Sequence, residues 1–301
     1  MPSSLTIIIL TYNSAHIVVK CLEKISFDKY KVIVVDNASS DNSIDLIKEK
    51  FPQAKIIKLD KNVGYGNGNN AALDKVETEF ALVLNPDAMI FENDIEIVLD
   101  AMKKNPQVAI AGPLILRNFP ASKKEIDEWM ERMNKDLATI KSQYCEKLED
   151  GFDSQFLSGS CIFLRMSVFK KLGFFEKDIF MFYEDNEICE RSKANGYKNL
   201  VVPASHVFHL EAGSSRKCLR VAFRRGWHLG WSKLYWKQLR KNKFKAKKSA
   251  FRLSLLNLFR AFIFLFLGKL VEASQNLGIS FGSFSFLFGL KAFRKNGTAR
   301  G

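Results

Sequence analysis

The sequence predicts an α/β protein: a mostly parallel sheet flanked by helices, followed by a basic and apolar helical C-terminal tail. Three observations predict it. Short apolar runs end near Leu10, Val35, Leu59 and Leu84, roughly every 25 residues, the rhythm of successive βα units. Phe80 to Leu84 is a continuous apolar run, as a strand buried on both faces must be. Charge is unevenly placed: from Arg216 onward there are 20 Lys/Arg and one acidic residue, about +19, against 26 basic and 31 acidic residues before it, about −5.

In chain order, Leu5–Leu10 reads as the first strand, and Asn13 or Ser14 can cap the helix that follows. Val18, Cys21, Leu22 and Ile25 recur at helical spacing. Val32–Val35 is a second strand ending at Asp36. Ser40, Asp41 or Asn42 can cap a helix carrying Ile44, Ile47 and Phe51. Ile56–Leu59 is a third strand, and Asn62 to Asn70, with glycines at 64, 66 and 68, reads as a loop whose glycines let backbone approach a ligand. Phe80–Leu84 is the fourth strand. Pro86 cannot continue it, so Asp87 lies at its C-terminal edge, where open α/β sheets bind ligands. A carboxylate there suits a hard divalent metal and, through it, a phosphate.

Ile95, Val98, Leu99 and Met102 mark the next helix, and Val108–Gly112 another strand. Residues 118–150 read as a helical insertion, 156–165 as small residues leading into a strand, 167–172 as a helix stopped by Gly173, 184–195 as a helix stopped by Gly196, and 201–209 as extended. The domain organisation expected is 1–215, then 216–301. In the tail, residues 216–250 interleave basic and aromatic side chains. Its apolar stretch covers about 15 residues, short of the roughly 20 that a membrane span needs. Helices lying in the membrane interface, against anionic lipid, are the expectation. The five cysteines are scattered and never in Cys-x-x-Cys, which argues against a disulfide framework or zinc site and fits a reducing cytosol.

Chemistry concentrates in four places. Asp36 can hold a base or ribose. Asp87 can hold a metal. Glu184, Asp185 and Glu187 gather at a helix start beside the aromatic run Phe180–Tyr183, which suits a general base. His206 and His209 follow a strand, and either could complete a metal site with Asp87. Two other classes compete. A nicotinamide oxidoreductase needs Gly-x-Gly-x-x-Gly after the first strand, where Thr11-Tyr12-Asn13-Ser14 stands. A nucleic-acid-binding protein explains the basic aromatic tail but not the acidic, glycine-bearing body.

Thr11-Tyr12-Asn13, Val35-Asp36-Asn37 with Ser39 and Asp41, Asn62-x-Gly64-Tyr65-Gly66 with Asn70, Leu84-Asn85-Pro86-Asp87, Gly159, Gly173-x-Phe175, Glu184-Asp185 and His209 with Ser214 occur in this order. Together they resemble the inverting family-2 glycosyltransferases of GT-A fold, within them the bacterial rhamnosyltransferase-like group, over about residues 5–215. The resemblance implies that Thr11, Tyr12, Asn13 and Asp36 hold the nucleotide, with Asn62, Gly64, Tyr65 and Asn70 shaping its pocket and Asn85, Gly159 and Glu184 lining the substrates. It implies Asp87 and His209 as ligands of Mg²⁺ or Mn²⁺, and Asp185 as general base. It also implies a nucleotide-sugar donor, a glycan or lipid-linked acceptor, and work at the cytoplasmic face of the membrane, with no nucleic-acid partner. Glu187 departs from the family's Glu-Asp-x-Asp.

Overall fold

The computed structural model describes residues 4–116, 147–148, 150–210, 218–240, 243–294 and 296–301. The chain divides into two units. One comprises Met1–Lys58, Ala71–Phe174 and Ile188–Ser214; the other comprises Leu59–Asn70, Phe175–Glu187 and Ser215–Gly301. Segments 59–70 and 175–187 thus group with the C-terminal helices rather than with the sheet.

The first unit is built on a ten-stranded sheet: β1 (Leu5–Thr11), β2 (Lys31–Asp36), β3 (Lys55–Lys58), β4 (Phe80–Leu84), β5 (Ala88–Ile90), β6 (Val108–Leu116), β7 (Lys147–Leu148), β8 (Gly151–Asp153), β9 (Cys161–Arg165) and β10 (Lys198–His209). The order is β3-β2-β1-β4-β9-β6-β10-β8-β7, with β5 paired to β10. Strands β3, β2, β1 and β4 are mutually parallel, as are β6 and β10, while β9 runs antiparallel between β4 and β6. Helices α1 (Val18–Leu22) and α2 (Ser43–Lys50) carry the chain outward from β1 to β3. Helix α3 (Tyr65–Leu73) precedes its return to the other side of β1 as β4. Strand order therefore reverses between β1 and β4, and it is outside the carboxyl ends at such a reversal that open α/β sheets bind ligands.

Alternation along the strands explains the core. Leu5, Ile7 and Ile9 of β1, Val32 and Val34 of β2, and Phe80, Leu82 and Leu84 of β4 share one face. They pack with Val18 and Cys21 of α1, Ile44 and Ile47 of α2, and Ile95, Val98, Leu99 and Met102 of α4 (Glu92–Lys104). Ile8, Val35 and Val83 on the opposite face are equally buried, so these strands read as unbroken apolar runs. Helix α5 (Met166–Leu172) ends where Gly173 turns left-handed at φ 89°.

The differences from expectation are local. Helix α1 stops at Leu22, although Ile25 is still buried. Asn62–Asn70 is not a loop throughout, because α3 begins at Tyr65. Strands β5 and β7 are too short for a sequence pattern to show. The helical insertion expected over 118–150 lies mostly outside the described residues. Its end is extended instead, where Lys147–Leu148 pair with β8.

The second unit is centred on α7, α8 and α9, preceded in the chain by α6 (Glu184–Ala194), which contributes only its first residues. Helix α7 (Leu219–Arg240) and helix α9 (Leu270–Leu287) touch backbone to backbone. A Cβ added to Gly226 would sit 2.1 Å from the Gln275 carbonyl oxygen, and one on Gly282 2.0 Å from that of Trp227. Gly226 with Gly230, and Gly278 with Gly282, are the facing i, i+4 pairs that make this possible. Helix α8 (Lys243–Phe266) buries Ala246, Ala250, Ser254, Asn257 and Ala261, and Ser254 meets Ser280 of α9 at 3.1 Å. Its other side is exposed, with Phe259, Phe262 and Phe266 at 64%, 70% and 86%. By length and composition alone α8 is long and apolar enough to cross a membrane.

Candidate active site

The first group of side chains stands at the carboxyl ends of β1 and β2. Thr11 pairs in register with Asp36, and the Asn37 N–H donates to the Thr11 carbonyl at 2.9 Å. The buried Asp36 accepts from the Ser39 N–H at 2.9 Å through Oδ1. Asn13 turns left-handed at φ 52°, which Asn tolerates, and its Oδ1 accepts from the Ser40 N–H at 2.7 Å. Asp41 accepts from the Ala15 N–H and from both the N–H and hydroxyl of Ser43. Burial works against its charge, but the bonds from Ser43 and Ala15 outweigh burial and hold its carboxyl below the usual value. Asp41 therefore secures the start of α2, and Asp36 has no part in that turn. Tyr12 is 40% exposed beside them, and the buried Thr11 Oγ1 has no hydrogen-bond partner among the described residues.

The second group stands at the end of β4. Asn85-Pro86-Asp87-Ala88 is a turn closed by the Ala88 N–H on the Asn85 carbonyl at 3.0 Å. The Asn85 N–H donates to the Ser160 carbonyl at 2.9 Å, pinning the turn beside the buried Gly159. Directly after it, β5 pairs with β10, His209 opposite Ala88, and the Leu210 N–H donates to the Asp87 carbonyl at 3.0 Å. This register brings His209 Nε2 to 3.2 Å from Asp87 Oδ1, with side chains 17% and 6% exposed. His206 is held elsewhere. Its N–H donates to Asp94 at 2.7 Å and its ring lies 3.6 Å from the same carboxylate. Of the two histidines, His209 is the one beside Asp87. No three His, Cys, Asp or Glu side chains converge among the described residues. One carboxylate and one imidazole suit a Mg²⁺ or Mn²⁺ ion that takes its remaining ligands from substrate and water. Cys21 lies near, but burial first and the Asp87 charge second push its thiol far up, so it stays protonated and is no ligand.

The third group belongs to the second unit. Asn62 Oδ1 accepts from the Gly64 N–H at 3.0 Å, and the Tyr65 N–H donates to the Phe180 carbonyl at 3.0 Å. Gly64 has φ 88°, and a Cβ there would lie 2.0 Å from that carbonyl oxygen. Asn70 uses both ends of its carboxamide on Phe175, donating to the carbonyl at 2.9 Å and accepting from the N–H at 3.0 Å. Gly64 and Asn70 thus admit and clamp segment 175–187. Tyr65 meets Phe175 edge-on at 6.0 Å.

What this clamp positions is the start of α6. Phe182 and Tyr183 are both left-handed, at φ 70° and 68°, a conformation that costs a non-glycine residue about 1–2 kcal/mol. Glu184 is buried, its Cβ 3.8 Å from where a Cβ on Gly66 would be, and its Oε2 has no partner among the described residues. Burial first, then the neighbouring Asp185, push its carboxyl up to about 8. Asp185 is half-buried and accepts from the Asn186 N–H at 2.9 Å. Two side chains against this segment escaped the sequence reading. Trp236 lies 5.2 Å from Tyr183, and His228 4.4 Å from Phe180. The signal was there, aromatics recurring on α7 at 227, 231 and 235, but it read as lipid contact.

A strand-order reversal, a carboxylate just past the end of β4 and a histidine returned to it belong to a chain of GT-A fold. The sequence profile described as "Glycosyl transferase family 2" matches residues 6–173, and the chain belongs to that family. It is 24% identical over 241 residues, 71% of this chain and 78% of the relative, to the N-acetylglucosaminyl-diphospho-decaprenol L-rhamnosyltransferase of Mycobacterium tuberculosis (strain ATCC 25618 / H37Rv). It is 26% identical over 246 residues, 74% of this chain and 89% of the relative, to the rhamnosyltransferase WbbL of Escherichia coli (strain K12). Among solved structures, the mannosyltransferase PcManGT from Pyrobaculum calidifontis, in complex with GDP-Man and Mn²⁺, superposes with a TM-score of 0.57 at 17% identity, covering 96% of this chain and 90% of that one. S. aureus TarS 1–349 in complex with UDP-GlcNAc gives 0.53 at 14% identity, covering 95% and 92%. These structures share the fold. The protein is a rhamnosyltransferase-like family-2 glycosyltransferase of glycan synthesis.

Proposed function

We propose that the protein transfers a sugar, L-rhamnose from a dTDP donor or another sugar from a UDP donor, to a lipid-linked glycan acceptor with inversion, in bacterial surface polysaccharide synthesis. The observation that carries this reading is the Asp87–His209 pair at the end of β4. The M. tuberculosis relative is named for an acceptor sugar held on a prenyl chain through a diphosphate, and that acceptor class is the one we adopt.

Tyr12 offers an exposed ring for the base, and Asp36 a fixed carboxylate for the ribose. Asp87 and His209 would hold a divalent ion, which when bound offsets the charge of the departing nucleoside diphosphate. Asp185 accepts the proton of the acceptor hydroxyl as its oxygen bonds to the anomeric carbon. The bond from that carbon to the diphosphate oxygen breaks in the same displacement, so the configuration inverts and no covalent enzyme intermediate forms. Glu184 is the weaker candidate for base. It points into the protein against α3 and keeps its proton near neutral pH, and its neighbour on the helix points about 100° away. The exposed phenylalanines of α8 and the basic side chains around them support a protein that works from the cytoplasmic face, bound to anionic lipid.

Asp185→Asn keeps shape and removes basicity. Turnover should fall by about 10² to 10⁴, with donor KM nearly unchanged. Glu184→Gln should lose far less. A fully active Asp185→Asn beside an inactive Glu184→Gln would move the base to Glu184.

A further inference from the structure

We propose that Tyr183 and Trp236, with Arg240, form an acceptor subsite: the aromatic pair takes the face of the acceptor sugar, and the guanidinium takes the phosphate joined to it. The inference rests on the reading of Asp185 as base and of a diphosphate-linked sugar as acceptor.

Four observations converge on these side chains, all within the second unit. Tyr183 is two residues from Asp185, and its hydroxyl is pushed up by burial and then by the Asp185 charge, so the ring stands within electrostatic reach of the base. Phe182 and Tyr183 are held left-handed in succession. Such strain persists where surrounding contacts over-determine it, and it gathers at ligand sites. The contacts here are Arg225 over the Phe182 ring at 5.8 Å and Trp236 against Tyr183 at 5.2 Å, the planes tilted by 36°. Third, among the other polar aromatics of α7, His228 leaves both ring nitrogens without a partner among the described residues, while Trp231 and Tyr235 are satisfied by the fold. Trp231 donates to the Leu290 carbonyl at 2.7 Å, and the Tyr235 hydroxyl bonds Asp178 at 3.1 Å. The Trp236 Nε1–H, on a different side of the helix, is buried and has no partner among the described residues. Fourth, Arg240 is one turn further along, exposed, with its guanidinium 4.9 Å over the Trp236 ring.

The chemistry matches the acceptor in order. A pyranose offers an apolar C–H face to an aromatic ring. A diphosphate follows the sugar, and a guanidinium is the group suited to bind it. A sugar on the aromatic pair lies next to Asp185, and its diphosphate one helical turn away at Arg240.

The test uses the full chain and two probes: N-acetylglucosamine joined through a diphosphate to a short alkyl chain, and the methyl glycoside of the same sugar. Binding is measured by calorimetric titration and acceptor KM by nucleoside diphosphate release. Trp236→Ala should weaken both probes by about tenfold, leaving donor KM and melting temperature near wild type. Trp236→Phe should recover most of the binding. Arg240→Gln should weaken only the diphosphate probe, bringing it to the level of the glycoside. If the wild type releases no nucleoside diphosphate with any donor, the catalytic reading fails, and the titrations still decide the subsite. Equal binding by wild type and Trp236→Ala, no binding by the wild type, or a loss confined to donor KM or melting temperature would overturn it.

Discussion

At the scale of the residue, the proposed metal pair of Asp87 and His209 can be tested apart from catalysis. Manganese binding, followed by the paramagnetic spectrum of the free ion, should weaken at least tenfold in Asp87→Ala while the melting temperature holds. Manganese binding equal to wild type would remove the assignment. The places of Asp36, Asp87 and His209 in the fold were legible because each stands at or just past the end of a strand. The contacts of Gly64 and Asn70 were not legible, because their partners, Phe180 and Phe175, lie more than a hundred residues away. Nothing in the local sequence shows that a second backbone will occupy the space a glycine leaves. Glu184 and Asp185 could not be told apart from their order alone; burial distinguishes them. Burial also gives a pH dependence with a definite sign. The Glu184 carboxyl ordinarily titrates near 4.5 and is raised to about 8 in the fold. Its contribution to stability is full below 4.5 and is lost as pH rises through 8. His228 is the mirror case: burial first and the Arg224 charge second lower its imidazole from 6.5 to about 3. Its contribution is present above 6.5 and is lost as pH falls toward 3. Glu184→Gln should therefore flatten the alkaline side of a plot of melting temperature against pH and leave the acid side. A parallel shift of the whole curve would contradict this.

At the scale of the element, the four tail glycines decide whether α7 and α9 can meet. Gly282→Leu places a side chain where the Trp227 carbonyl stands. It should destabilise the protein by about 1–3 kcal/mol in a denaturant titration. Glu272→Gln, a small change at an exposed position of α9, should cost a few tenths of a kcal/mol. Equal midpoints for Gly282→Leu and wild type would mean the helices do not meet there. Periodicity revealed the long helices and the buried strands, because each repeats one rule over many residues. It did not reveal β5, three residues long, although β5 is the element that pairs with β10 and returns His209 to Asp87. The split of the chain was also hidden. Charge falls into two blocks along the sequence, whereas segments 59–70 and 175–187 are gathered into the tail unit by backbone contacts that composition does not record.

At the scale of the whole molecule, a tail of about +19 beside exposed phenylalanines fits an anionic bilayer. Each basic side chain near such a surface contributes about 1 kcal/mol. The full chain should float with vesicles containing anionic lipid and stay behind with neutral ones. Phe262→Asp with Phe266→Asp should cut flotation severalfold at constant net fold. Binding to duplex DNA with no flotation would favour the nucleic-acid reading of the tail instead. The central claim, acceptor-dependent sugar transfer with a divalent ion, is tested most directly by nucleoside diphosphate release from the purified full chain. The assay runs a donor panel headed by dTDP-L-rhamnose, with and without a diphosphate-linked N-acetylglucosamine acceptor, in Mn²⁺ and in chelator. The account predicts release with one donor, multiplied by acceptor and abolished by chelator. Release that ignores both acceptor and chelator, or none with any donor while metal and acceptor bind, would contradict it.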